Sequence, residues 1–67
     1  MRLNVNGEAR TVHDGLTVAD LVAELAGSTP RGVAVAINGD VVPRSAWPAT
    51  GLGEGDAVEV LTAVQGG

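Results

Sequence analysis

Side chains that do chemistry are scarce in this chain, and their spacing narrows the choice further. The single histidine, His13, is followed directly by Asp14. Neighbours in a regular backbone do not face each other, so a turn accounts for the pair better than an acid–base couple does. Ser28 and Ser45 have no second histidine to activate them and read as loop and turn formers. Gly51, Gly53 and Gly55 have G-x-G-x-G spacing, but they follow a loop and precede no helix, so turn geometry explains them better than a phosphate cradle. The absence of cysteine excludes a disulfide framework, a thiolate metal site and persulfide chemistry on the chain itself. With one histidine and no cysteine, no metal site is expected. The absence of lysine removes Schiff-base chemistry and any side-chain acceptor amine. No catalytic residue and no resident cofactor are expected.

What remains is the pair Gly66-Gly67. With 10 glycines in 67 residues, a closing Gly-Gly arises by chance in roughly one such chain in fifty. The pair therefore carries weight only in context, because a frayed tail is the ordinary reading. A carboxylate at Gly67 is a poor acyl donor and would need activation. Lacking a Cβ, both residues let the backbone approach another protein closely and take any φ, so such a tail fits a narrow active site as a thread.

The elements before that tail decide whether it projects. Arg2 to Asn6 alternates, placing Leu3 and Val5 on one face of a strand, and Asn6-Gly7 tolerates the positive φ angles of a tight turn into a second strand over Glu8 to Val12. Val18, Leu21, Val22 and Leu25 make one helical stripe, with Thr17 as N-cap, Asp20 as first-turn acid, and Gly27 then Pro30 as the stop. Val33 to Ile37 is β-branched at every second position, and Asn38-Gly39 turns it into a short strand, Asp40 to Val42, closed by Pro43. Arg44 to Gly55 is a structured connection, and Asp56 to Val64 alternates again as a long last strand. The expected core is Leu3, Val5, Val18, Leu21, Val22, Leu25, Val35, Ile37, Val58 and Val60, with Trp47 as a lid on its edge.

This order predicts an α+β fold, a mixed sheet of four to five strands with one helix packed on one face. Its first and last strands lie parallel at the centre, joined by a right-handed crossover. That arrangement is the β-grasp. The expected organisation is a β-grasp domain over residues 1–64 and a flexible C-terminal Gly-Gly tail over 65–67. A net charge of −4 with only scattered arginines lacks the basic cluster a phosphate backbone needs, so no nucleic-acid partner is expected. The opening Met1 to Glu8 turns polar too early for a signal peptide, and the longest apolar run, Val33 to Ile37, is far short of a membrane span. A soluble cytoplasmic protein with no membrane contact, monomeric when free, is expected.

At this point the sequence resembles, over its whole length, the ThiS-type sulfur carrier proteins of thiamine biosynthesis, which are ubiquitin-like β-grasp proteins ending in Gly-Gly. The resemblance lies in the hairpin ending in Asn6-Gly7, in Ala34 to Arg44 with Trp47 three residues on, and in the ending from Gly55-Asp56 through Gln65-Gly66-Gly67. It implies a protein co-substrate rather than an enzyme. A ThiF-type adenylyltransferase would use ATP and Mg²⁺ to form an acyl-adenylate at Gly67. Sulfur mobilised by a cysteine desulfurase would then leave a 1-thioglycine thiocarboxylate there, with Gly66 giving the tail access. Thiazole synthase would take that sulfur, with deoxyxylulose phosphate and dehydroglycine as co-substrates. Arg44 reads as a solvated loop charge or, through its place in the shared stretch, as a recognition residue.

Period-two alternation assigns the partner surface. If Val58, Val60, Thr62 and Val64 point inward, then Glu59, Leu61 and Ala63 point outward, joined by Ala34 and Ala36 of the third strand. Glu59, Leu61, Ala63 and Ala36 are therefore the expected partner-binding residues. Three other readings stay open on the residues: the small subunit of molybdopterin synthase or another Gly-Gly sulfur carrier, a ubiquitin-like modifier, and an interaction module with an inert tail.

Overall fold

The computed structural model describes residues 1–27 and 32–62. Pro30, Val64, the expected domain end and the tail at 65–67 lie outside the described residues. The chain runs β1 (Arg2–Val5), β2 (Glu8–Thr11), α1 (Val18–Ala26), β3 (Val33–Ile37), β4 (Asp40–Val42), a 3₁₀ helix (Arg44–Ala49) and β5 (Ala57–Thr62). The five strands form one mixed sheet in the order β2-β1-β5-β3-β4. β1 and β5 are parallel, as expected, and the other pairs are antiparallel.

Both hairpin turns follow from their Asn-Gly pairs. Asn6 and Gly7 have φ of 52° and 85°, Asn38 and Gly39 of 50° and 88°, the left-handed values that a two-residue type I′ connection requires. The helix begins at Thr17 in a capping box: Asp20 N–H donates to Thr17 Oγ1 at 3.1 Å, and Thr17 N–H donates to Asp20 Oδ2 at 3.1 Å. It ends at Gly27, with φ of 77°.

The core joins Leu3, Val5, Leu16, Val18, Leu21, Val22, Val35, Trp47, Leu52, Val58 and Val60, with Ile37 packed half-buried against it. Three points correct the expectation. Leu25 continues the helical stripe by spacing, yet it is 39% exposed. It stands in the last turn, where it meets Val5, Glu8, Ala9 and Arg10 in a shallow groove, and β2 there offers only exposed residues to cover it. Thr62, expected inward, is exposed; it is the last described residue of β5, opposite Val33, which packs half-buried at the margin of the core. Leu16 and Leu52 join the core from loops: Leu52 N–H donates to Leu16 O at 3.1 Å, Val18 N–H to Thr50 O at 2.9 Å, and Thr17 bridges Gly51. Trp47 closes this edge at 4% exposure, as expected of a lid. Its Nε1–H donates to Val42 O at 2.9 Å.

Candidate functional site

The site must be built around β5, since this strand carries the chain toward Gly66 and Gly67. Those two glycines and Ala63, expected as the reactive end, its access residue and a partner contact, lie outside the described residues. What is described is the platform they leave from.

β5 is central, with β1 on one edge and β3 on the other. Its alternation sends Val58 and Val60 into the core under the helix, and Glu59 and Leu61 to the opposite face. In the register with β3, Glu59 stands against Ala36 and Leu61 against Ala34. Directly opposed residues of an antiparallel pair share a face, so these four form one block. Ala36 in turn stands against Val41 of β4, which extends the block by a strand. Leu61 is 63% and Val41 76% exposed, flanking small alanines that leave the surface flat. Leu61, Glu59 and Ala36 are thus brought together as the alternation required.

Val41 was the member missed. Its signal was present, because a two-residue Asn38-Gly39 turn fixes which residues of β3 and β4 oppose each other, and half-buried Val42 turns its neighbour outward.

Few charged groups border the block. Glu59 lies on it, and Glu54 and Asp56 lie at the foot of β5, where both are tied down. Arg2 N–H donates to Glu54 Oε1 at 2.9 Å, while Asp56 accepts from Gly53 N–H at 2.8 Å and from Asn38 Nδ2 at 3.2 Å. Arg44 sits with its guanidinium carbon 5.5 Å from the centre of the Trp47 ring, a cation–π contact on the lid.

Ser28 lies outside the described residues, and Ser45 is exposed in the 3₁₀ helix. His13 and Asp14 are exposed in the turn between β2 and the helix, and Gly55 takes φ of 81° in the turn before β5. Among the described residues no three His, Cys, Asp or Glu side chains come together to hold a metal ion, and no helix is long and apolar enough to cross a membrane.

Comparison with known proteins gives matches of three kinds. The model of the ThiS family matches residues 3–67. A crystal structure of the thiamine biosynthesis protein (ThiS) from Geobacter metallireducens superposes with a TM-score of 0.82 at 40% identity, covering 100% of both chains. A solution NMR structure of a thiamine biosynthesis protein from that organism gives the same score and identity, covering 100% of this chain and 88% of the other. Among curated proteins, a thiazole synthase of Paramagnetospirillum magneticum is 37% identical over 67 residues. That match takes in 100% of this chain and 20% of the relative, so the chain spans about a fifth of the curated protein it matches.

Proposed function

The chain belongs to the ThiS family, and on that footing we propose that it is a sulfur carrier in thiamine biosynthesis, a protein co-substrate that delivers sulfur to a thiazole synthase. The observation that carries the reading is the partial match to a thiazole synthase: the whole of this chain is similar to one fifth of a protein of that name. Joining two partners in one polypeptide converts their encounter into an intramolecular event at high effective concentration. A carrier and the synthase it serves would gain from such a joining.

The chemistry is placed at Gly67, beyond the β-grasp domain of residues 1–64, at the end of the tail 65–67. The terminal carboxylate oxygen attacks the α-phosphorus of ATP on a ThiF-type adenylyltransferase, forming the acyl-adenylate and releasing pyrophosphate. The persulfide formed by a cysteine desulfurase attacks the activated carbonyl through its outer sulfur and AMP leaves with the C–O bond electrons. A thiol then attacks the inner sulfur of the acyl disulfide, which breaks the S–S bond, releases the carrier's sulfur as a thiolate and leaves the thiol in a disulfide. The product is a terminal thiocarboxylate, whose anionic sulfur is the nucleophile for ring formation. Gly66 supplies a backbone without a side chain where the thread passes through a narrow entrance.

Leu61, Glu59, Ala36 and Ala63, together with Val41, form the surface on which the enzymes dock. A flat apolar area beside the exit of β5 fits a protein that must present one end group to successive partners. Intact-mass analysis after incubation with the adenylyltransferase, ATP, the desulfurase, cysteine and a thiol reductant tests the reading. A gain equal to sulfur replacing one oxygen, mapped to the peptide containing Gly67, is expected. Sulfur on any other peptide, or none, refutes it.

A further inference from the structure

Asn6 does more than make a turn. β1 leaves β5 at this residue: Asn6 N–H donates to Val58 O at 2.9 Å, and the chain then enters the Asn6-Gly7 turn. The next ladder position on this edge of β5 is Val60, whose backbone groups would be left without a strand to pair with. The Asn6 side chain takes the place of that strand. Val60 N–H donates to Asn6 Oδ1 at 2.8 Å, and Asn6 Nδ2 donates to Val60 O at 3.2 Å. The two bonds reproduce what a ladder residue would make, and they need an amide: an aspartate accepts from Val60 N–H but sets a carboxylate oxygen against Val60 O. Turn geometry alone does not make that distinction, because aspartate and glycine also tolerate the left-handed φ.

Asn38 makes a related contact on the other edge and at the other end of the strand. Its Oδ1 accepts from Ala57 N–H at 3.0 Å, and its own N–H donates to Ala57 O at 2.8 Å. The two hairpin turns thus grip β5 from both sides, Asn38 at its start and Asn6 near its end.

We propose that Asn6 is a positioning residue for the reactive tail, acting through the backbone of β5 to fix the direction in which the strand leaves the sheet. The functional half of this inference rests on the carrier reading above. Val60 is 7 positions from Gly67, and only Leu61 and Thr62 of the described strand follow it, still paired with β3, so the setting of the strand at Val60 is passed to the segment that continues toward the terminus. Loss of the clamp leaves the domain folded but widens the range of directions that the activating enzyme must select from, which raises KM and leaves kcat nearly unchanged.

The test compares Asn6→Gly and Asn6→Asp with Asn38→Gly, all well below their melting temperatures. Backbone amide exchange is followed on the free protein, and pyrophosphate release is followed with the adenylyltransferase and ATP. Asn6→Gly, which takes away the acceptor, should speed exchange at the Val60 amide more than Asn6→Asp does, and both should raise KM for the carrier about tenfold, the scale of one or two lost hydrogen bonds. Asn38→Gly removes a comparable clamp far from the exit and should change KM less than about twofold on the same reasoning. Wild-type KM in both Asn6 variants, or equal increases in the Asn6 and Asn38 variants, overturns the inference. Failure of the wild type to release pyrophosphate refutes the carrier reading instead, and Val60 exchange then still decides whether Asn6 holds the strand.

Discussion

Trp47 is the one aromatic ring in a core otherwise built from leucine and valine. It is held on two counts: burial to 4% exposure, and the bond from Nε1–H to Val42 O, which ties the 3₁₀ helix to the end of β4. Trp47→Ala should cost about 3 to 5 kcal/mol, a large share of what a domain this small has. Trp47→Phe keeps a ring but loses the indole bond to the Val42 carbonyl, which still faces Val35 in the ladder, and should cost roughly 1 kcal/mol. Urea unfolding followed by circular dichroism measures both. An alanine variant as stable as the wild type would show that the ring is not part of the core. The position was legible as a lid because a large ring in a small domain is needed for burial, whereas the indole bond to Val42 depends on how the 3₁₀ helix folds back, which no periodicity reports.

At the level of elements, the helix start is a self-contained prediction. The Thr17 backbone N–H, and then its hydroxyl, hold the Asp20 carboxyl below its ordinary range. A carboxyl lowered in the folded state contributes stability that is present above its unfolded value and is lost as pH falls through the folded one. The stability difference between wild type and Asp20→Asn should therefore shrink on acidification through and below the ordinary carboxylate range. A difference independent of pH would remove the charge from the explanation. Thr17→Ala, which deletes the other half of the box, should cost about 1 kcal/mol. This cap, the two Asn-Gly turns and the strand alternation could be read in the sequence because each is a local rule. Leu25 and Thr62 could not be placed, because periodicity states which way a side chain points but not whether anything covers it. Leu16 and Leu52 come from loops that find each other across the chain. Leu16 alone left a local mark, as the apolar residue before the N-cap that pairs with Leu21 four positions into the helix in a hydrophobic staple.

For the molecule as a whole, what matters is that the proposed reactive end and the proposed docking block share one strand, β5. The strand carries Glu59 and Leu61 on its open face and runs on toward the tail, so a partner that reads the block is brought alongside the thread it must act on. The block is narrow, a few side chains around Leu61, Val41 and the alanines between them. On the proposed function, an adenylyltransferase and a thiazole synthase that both need it cannot bind together, and the proposed carrier releases one before meeting the other. A net charge of −4, with Glu59 in the block itself, favours basic partner surfaces and makes association faster at low salt. Leu61→Arg tests the arrangement, because the side chain is exposed and its replacement disturbs no buried packing. Its melting temperature should stay close to wild type, while affinity for both enzymes falls at least tenfold, the loss typical of a central interface residue. The match to a thiazole synthase makes that enzyme the sharper of the two measurements. Undiminished binding of Leu61→Arg to both partners, or a ternary complex holding both at once on the wild type, would end the shared-surface reading. It would leave the tail to find each active site without guidance from the sheet.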